Sequence, residues 1–502
     1  MTTGSSSGAA GSGTALRAGL VLAASALGAN VFKFSPAEPL NGLQWALVAV
    51  GAVLAGAGAF RGLLGPGRPL AAELPEAGRI AGIAVQVALL VAVIHRFQIE
   101  SPVFFERLIP LAAFGFLVNH LLPARWRLPF FTLLSLAGIL LVFGPRHGIW
   151  LLAFGAGLIV LCELPVPWAA RVLLLLAAGA TLALMRSEVL TGPWPASIWP
   201  ILGSMFMFRL IVYVYDLKHR REPFRPWRAV SYFFMLPNLV FPLFPVVDYT
   251  TYGRTYYDGE AARIYQRGLR WMLLGTLHLI AYRIVYQFFT VSPAEVTGVP
   301  ELGRYVVANF LLYFRVSGQF HLIVGMLHLF GFHLPETHHR FFYSSGFMDF
   351  WRRINIYWKD FMMKVVYMPV FFRLRKAGET TALVVATLVV FLVTWLTHSY
   401  QWFWILGEWL ISLTDMMFWA ILAVLVVGST FREMKRGRKR SLGGSQRTLR
   451  ETLRHSFRVA VFFAFISLLW SLWTAPTLRE WIGMIAAAGI DLRGLALVAG
   501  AI

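Results

Sequence analysis

Cysteine is all but missing from this chain. Cys162 is the only one in 502 residues, so neither an intramolecular disulfide nor a cysteine-built metal site is open to it. Charge is scarce too. Asp, Glu, Lys and Arg make up 14% of residues, where a soluble globular protein carries about 25%. The apolar excess, 58% of residues, runs along the whole chain, which excludes a soluble domain with one anchor. Short alternating segments of the kind that build a membrane barrel are missing. So is any convincing internal repeat, which counts against transporters assembled from inverted repeats. Acidic residues number 24 against 45 Lys and Arg, for a formal charge of +21. A nucleic-acid reading of that charge fails. The basic residues lie mostly in short loops between apolar spans, as the positive-inside rule distributes them, and no basic domain or nucleic-acid motif accompanies them.

What is present is a succession of apolar runs rich in Leu, Phe, Trp and Ala. A membrane helix needs about 20 predominantly apolar residues. Candidate spans are Ala15–Phe32, Leu43–Leu64, Ile80–Ile94, Leu108–Leu122, Phe130–Phe143, Ile149–Leu164, Ala169–Met185 and Ile198–Tyr215. Val230–Val247, Met272–Phe289, Val306–Phe330, Thr381–Trp395, Trp402–Val427, Val459–Trp473 and Ile482–Ala501 follow. Several are short for a full crossing, so the fold class is an all-α polytopic integral membrane protein of about 11–15 transmembrane helices. The Gly/Ser/Thr-rich residues 1–14 read as a disordered tail. The first apolar run reads as a membrane helix rather than a removed signal. Residues 15–190 form a bland N-terminal bundle of Ala, Gly and Leu. Polar residues enter the spans over 195–475, the expected functional core, and 476–502 is a last membrane helix. The densest basic loops, Lys218–Arg228 and Arg432–Arg458, are expected on the cytoplasmic face.

Ser317 to Pro369 interrupts the apolar pattern most. Within it, Trp351, Ile354, Trp358, Phe361 and Val365 share one face of a helix. Arg352, Arg353, Lys359 and Asp360 fall mostly away from that face. The pattern predicts one interfacial amphipathic helix over Phe347–Phe372. Asn355 lies close to its apolar sector, and a buried amide needs partners. It either joins a polar network or lines a cavity. Further on, His398 sits at the junction of two apolar runs. A lone membrane histidine can simply bond a backbone carbonyl. As a neutral imidazole it can also act as general base, taking a proton from a hydroxyl that attacks a carbonyl. His321, His328, His333, His338 and His339 lack metalloenzyme spacing. They read as polar lining of a cavity or surface, with His338 and His339 looking exposed.

These residues resemble the membrane-bound O-acyltransferase family, and within it the bacterial branch that acetylates alginate or D-alanylates teichoic acid. The resemblance is carried by Ser317, Gly318, Gly325, Leu329, Phe330, Gly331, Phe332, Leu334, Pro335, Glu336 and Arg340. Phe347, Phe350, Trp351, Arg352, Arg353, Tyr367 and Pro369 continue it. Weaker similarity runs from Ile198 to Trp473. The family's first functional position, histidine or asparagine in the amphipathic segment, corresponds to Asn355. Its second, a histidine followed four residues on by tryptophan and soon by glycine, corresponds to His398, with Trp402 and Gly407 after it. Ser399 stands where the family has glycine, the proline-rich Pro242–Tyr249 where it has Gly-Pro, and Asn355 is a lipid-branch residue in a bacterial-branch frame. These departures leave the acceptor open.

The resemblance implies a membrane-embedded funnel or tunnel in a multi-pass protein of the bacterial cytoplasmic membrane. It implies O-acyl transfer from a thioester, on coenzyme A or an acyl carrier protein, to a hydroxyl of a glycan, lipid or small molecule of the cell envelope. His398 and Asn355 would be catalytic. Trp351, Arg352, Arg353, Lys359 and Trp402 would bind substrate, the basic groups meeting phosphates of the donor. No cofactor or metal is expected beyond the thioester co-substrate, and no nucleic acid as partner. The bilayer and an acyl carrier or exported acyl-transfer partner are the expected company. Two rival readings use the same residues: a transporter or flippase with a polar path, and a non-catalytic scaffold that binds an acyl carrier.

Overall fold

The structure, a computed structural model, describes residues 76–192, 195–218, 223–436 and 448–489. The tail 1–14, the expected spans Ala15–Phe32 and Leu43–Leu64, most of Ile482–Ala501 and parts of both basic loops lie outside the described residues. Among the described residues the regular structure is helical. Its only strand-like pairing is one antiparallel bridge between Tyr256 and Phe332.

In chain order the helices are α1 (Glu76–Arg96), α2 (Val103–Leu121), α3 (Ala124–Glu163), α4 (Trp168–Arg186) and α5 (Ile198–Leu217). Three short ones and a long one follow: α6 (Pro226–Phe233), α7 (Tyr249–Arg254), α8 (Ala261–Phe288) and α9 (Val299–Leu311). Then come α10 (Phe314–Leu329), α11 (Phe347–Arg353), α12 (Ile356–Met362) and α13 (Met368–Leu374). The last are α14 (Glu379–Leu406), α15 (Leu413–Arg436), α16 (Leu449–Thr474) and α17 (Leu478–Ala487). Nine helical runs among the described residues are long and apolar enough to cross a membrane, α9 and α10 counting as one. This is a polytopic membrane protein.

The 40 residues of α3 hide two helices. Gly144 adopts φ 75° ahead of Pro145, a conformation that ends one helix before the next begins. A Cβ on Gly148 would lie 3.1 Å from the Cα of Leu140. Residues eight apart in a straight helix are about 12 Å apart, so the chain folds back there. The expected pair Phe130–Phe143 and Ile149–Leu164 corresponds to the two arms.

Three other expectations need correction. Val230–Val247 is not a crossing. After α6 the chain passes through a 3₁₀ turn at Leu236–Leu239 and then extends, because Pro237, Pro242 and Pro245 cannot donate helical hydrogen bonds. Non-helical backbone survives at membrane depth only where protein satisfies it, and Arg209 does this. Its guanidinium donates to the carbonyls of Tyr232 (2.7 Å), Phe233 (3.2 Å) and Ser204 (3.0 Å) and to Asn238 Oδ1. Thr381–Trp395 and Trp402–Val427 are also wrongly divided. One helix, α14, runs on to Leu406 and stops at Gly407, whose φ of 92° is a helix-ending left-handed conformation. His398 is therefore inside a helix, not at a junction. Finally, the single amphipathic helix over Phe347–Phe372 is broken into α11, α12, a π-turn and α13. Phe350, Trp358 and Phe361 are buried inside the protein instead of in the acyl region.

The half of the chain from α5 onward is held by close helix contact. α8 and α10 meet at Gly268 and Gly275 against Gly325 and Gly318. A Cβ on Gly275 would stand 2.7 Å from the Gly318 carbonyl, and one on Gly268 equally close to that of Gly325. Small residues let membrane helices approach backbone to backbone. This contact fixes α10, and with it the polar run that begins at Ser317.

Candidate functional site

The break between α11 and α12 makes the site. Asn355 takes φ 39°, a left-handed conformation that Asn tolerates better than most residues. Its side-chain Oδ1 accepts a hydrogen bond from the backbone N–H of Trp358 (3.3 Å) and so caps α12. With Oδ1 engaged, the amide NH₂ is the end left to donate. The side chain lines a cavity of about 340 Å³ between α5, the Leu243–Val246 segment, α9 to α12, α14, α15 and α16. The same cavity is lined by His398. The sequence left Asn355 to a polar network or a cavity; it lines a cavity and caps a helix.

On α14, one turn after Thr394, the His398 ring donates from Nδ1 to the Thr394 carbonyl at 2.8 Å. A carbonyl only accepts, so in the neutral ring the proton is on Nδ1 and the lone pair is on Nε2. The same threonine's hydroxyl accepts from Trp358 Nε1 (3.3 Å), tying α12 to α14 beside the histidine. Trp358, Trp419 and Trp473 surround the imidazole with ring centroids 5.5, 4.8 and 5.9 Å away.

Asp415, at the start of α15, orients two of these indoles. Its Oδ1 accepts from Trp419 Nε1 (3.1 Å) and Trp473 Nε1 (2.6 Å). In all, six tryptophans line the cavity: Trp351, Trp358, Trp402, Trp419, Trp470 and Trp473. Asn309, Tyr313, Asn355, Lys359, His398 and Gln401 give it polar points. An apolar pocket of a few hundred Å³ with a few convergent polar groups is the usual form of a small-molecule site.

The other expected site residues divide. Trp351, Lys359 and Trp402 line the cavity, Lys359 with its ammonium 2.9 Å from Asp360. Arg352 and Arg353 do not line it. Arg352 pairs with Glu433 of α15 (2.9 Å) and Arg353 with Asp349 (2.7 Å). Two of the histidines, His321 and His338, join an interior network. Tyr313 Oη lies 2.9 Å from His338 Nε2, and His338 Nδ1 lies 3.1 Å from Thr337 Oγ1. Thr337 Oγ1 is in turn 2.9 Å from His321 Nδ1. His338 is buried, not exposed as its neighbours in sequence suggested. His339 is half exposed and pairs with Glu336 (2.6 Å). Among the described residues no group of three His, Cys, Asp or Glu side chains is placed to hold a metal.

Sequence reasoning missed Tyr313, Asp415, Trp419, Trp473 and Gln401. Asp415 carried a signal, as one of few carboxylates at the edge of an apolar run, where a charge is costly unless paired. The two tryptophans carried none, in a chain with 18 of them. No family model matches the chain, and no curated protein matches it.

Proposed function

We propose that this protein is a membrane-embedded O-acyltransferase that moves an acyl group from a thioester to a hydroxyl. One observation carries the reading: His398 and Asn355 line one cavity, each with one polar end fixed to backbone and the other left for chemistry. In the reaction His398 Nε2 takes the proton of the acceptor hydroxyl as its oxygen attacks the thioester carbonyl carbon. The carbonyl oxygen becomes the oxyanion of a tetrahedral intermediate, and the Asn355 NH₂ donates to it. The intermediate collapses, the C–S bond breaks, and the thiolate takes the proton back from His398. The products are ester and thiol, and the histidine ends as it began. A general base of this kind contributes roughly 10²–10⁴-fold, and one oxyanion donor about 2.7–4 kcal/mol.

Donor and acceptor are expected to reach the cavity from opposite faces of the membrane through a funnel or tunnel, in a bundle of about 11–15 crossings. The thioester, on coenzyme A or an acyl carrier protein, arrives from the cytoplasmic side of a bacterial inner membrane. Lys359 is the cation best placed to meet the donor's phosphates, since it lines the cavity while paired with Asp360, and Arg352 and Arg353 do not line it.

The test compares ester-linked acyl groups in membranes and envelope glycans of wild type, a deletion, and the deletion complemented with His398→Ala at matched protein level. One ester species vanishing from both altered strains supports the reading and names the acceptor. An ester profile that His398→Ala restores to wild type overturns it and moves transport or carrier binding to first place.

A further inference from the structure

A second and larger opening, of about 730 Å³, lies where the first turns of α3 and α6 meet, and it shares no residue with the tryptophan cavity. Among the described residues its charged lining is wholly basic: Arg125, Arg225 and Arg228. Exposed Trp126, Trp227 and Phe224 give it an apolar rim. The two segments are tied together, because the Thr132 hydroxyl of α3 lies 3.4 Å from the Trp227 carbonyl of α6. Arg228 is packed against bare backbone. A Cβ on Gly253 would come within 2.9 Å of its Nη1 and 3.0 Å of its Cζ. Tyr256 stands in the wall, and its buried Oη has no hydrogen-bond partner among the described residues.

We propose that this groove binds a phosphate group, carried by the headgroup of an anionic phospholipid at the membrane surface. Guanidinium groups match phosphate oxygens in charge and geometry, and three converge here from two parts of the chain. The N-terminal ends of two helices add their positive dipole ends to the same opening. Exposed tryptophans beside arginines are placed as residues at the boundary between headgroups and acyl chains are placed. Basic pockets between membrane helices on the cytoplasmic side take anionic headgroups, and the basic loop entering α6 is expected on that side. A neutral Tyr256 phenol has a donor to offer the same phosphate. A soluble diphosphate shares this chemistry and is the other source of the group.

Native mass spectrometry of the full chain in uncharged detergent tests the proposal. The probes are phosphatidylglycerol, phosphatidylcholine and inorganic pyrophosphate, each with wild type, Arg125→Gln and Arg228→Gln. Phosphatidylglycerol is expected to be retained in preference to phosphatidylcholine, and each substitution to weaken its retention about fivefold. Arg125 is exposed, so its variant also guards against a folding defect from loosening Arg228 at Gly253. Arginine-dependent binding of pyrophosphate without retained lipid would uphold the phosphate site and assign it a soluble occupant. Equal retention of the two lipids, or variants that bind every probe as wild type does, would overturn the proposal. Neither result bears on acyl transfer at His398.

Discussion

Helices α4 and α5 are nearly matched in length, 19 and 20 residues, and both are apolar enough to cross a membrane. Yet 11% of one and 72% of the other is buried inside the protein. The difference is in the side chains. α4 is built of Ala, Leu and Gly and turns most of its surface outward, which costs nothing in lipid because tails are as apolar as leucine. α5 carries Trp199, Ser204, Phe206, Phe208, Arg209 and Tyr213. Phe206 stacks on Phe233 at 4.8 Å, Phe208 meets Trp358 edge-on at 5.0 Å, and Trp199 meets Trp404 at 6.0 Å. Hydropathy therefore says that a segment crosses. Bulky aromatics and a charge that needs partners say that it crosses through protein. The cavity takes Phe208 from α5 and nothing from α4.

The comparison sharpens most at His398. His398→Ala should cut acyl transfer by roughly 10²–10⁴-fold, measured as thiol release from a thioester by purified protein. Leu176→Ala on α4, whose side chain is exposed, should change neither rate nor stability by more than about 0.5 kcal/mol. Wild-type turnover in His398→Ala would remove the histidine from the chemistry.

Asn355 separates structure from chemistry with two substitutions. Asn355→Ala loses the helix cap, about 1 kcal/mol, and the amide donor, roughly 10²–10³-fold in rate. Asn355→Asp keeps a capping oxygen and a residue that accepts positive φ, yet has no NH₂ and sets a carboxylate where the oxyanion forms. Its unfolding midpoint should stay near wild type while its rate falls as far as that of the alanine variant. An aspartate variant with normal turnover would reduce Asn355 to a cap.

Packing gives a matched pair of glycines. Gly275→Ala drives a methyl into the Gly318 carbonyl and the Leu322 amide nitrogen, 2.7 and 2.9 Å away. Backbone cannot step aside as a side chain does, so a loss of about 1–3 kcal/mol is expected in denaturation from detergent. A Cβ on Gly179 of α4 meets nothing within 4 Å. Gly179→Ala should be neutral or stabilising by up to about 1 kcal/mol through helix propensity. Equal destabilisation of the two would mean that α4 has a packed neighbour after all.

How far the sequence reached follows the same division. The helical membrane class was legible because about 20 apolar residues in a row are needed to cross and are easily seen. The fold-back inside α3 was legible because Gly144 and Pro145 punctuate the run. Val230–Val247 was misread because hydropathy ignores prolines, and what holds that segment is an arginine some 20 residues upstream whose reach periodicity does not reveal. Asn355 and His398 could be singled out as polar groups in apolar settings. Their shared cavity could not, since it depends on a left-handed residue that breaks a helix the pattern predicts as continuous. The indoles around His398 were hidden for a plainer reason: in a membrane chain a tryptophan is unremarkable until its N–H finds a carboxylate.

The smallest expected effect is a pH dependence set by the interior network. His338, in the connection between α10 and α11 and outside the spanning helices, is fully buried next to His278. Burial first, and that neighbour second, hold its pKa down at about 3 from the usual 6.5. Between those values the unfolded chain takes up a proton that the folded chain refuses, so stability rises with pH across the window and falls on acidification. From pH 7 to pH 6 one such site contributes at most about 1 kcal/mol. His338→Gln keeps a hydrogen-bonding side chain for Tyr313 and Thr337 but cannot titrate. Its unfolding midpoint should change less than that of wild type over the same unit, and parallel profiles would show that His338 is not kept neutral. Because Tyr313 joins this network to the cavity wall, the neutral state matters to the site as well. A protonated His338 could only donate, which would force Tyr313 to accept and turn its own proton away from the histidine.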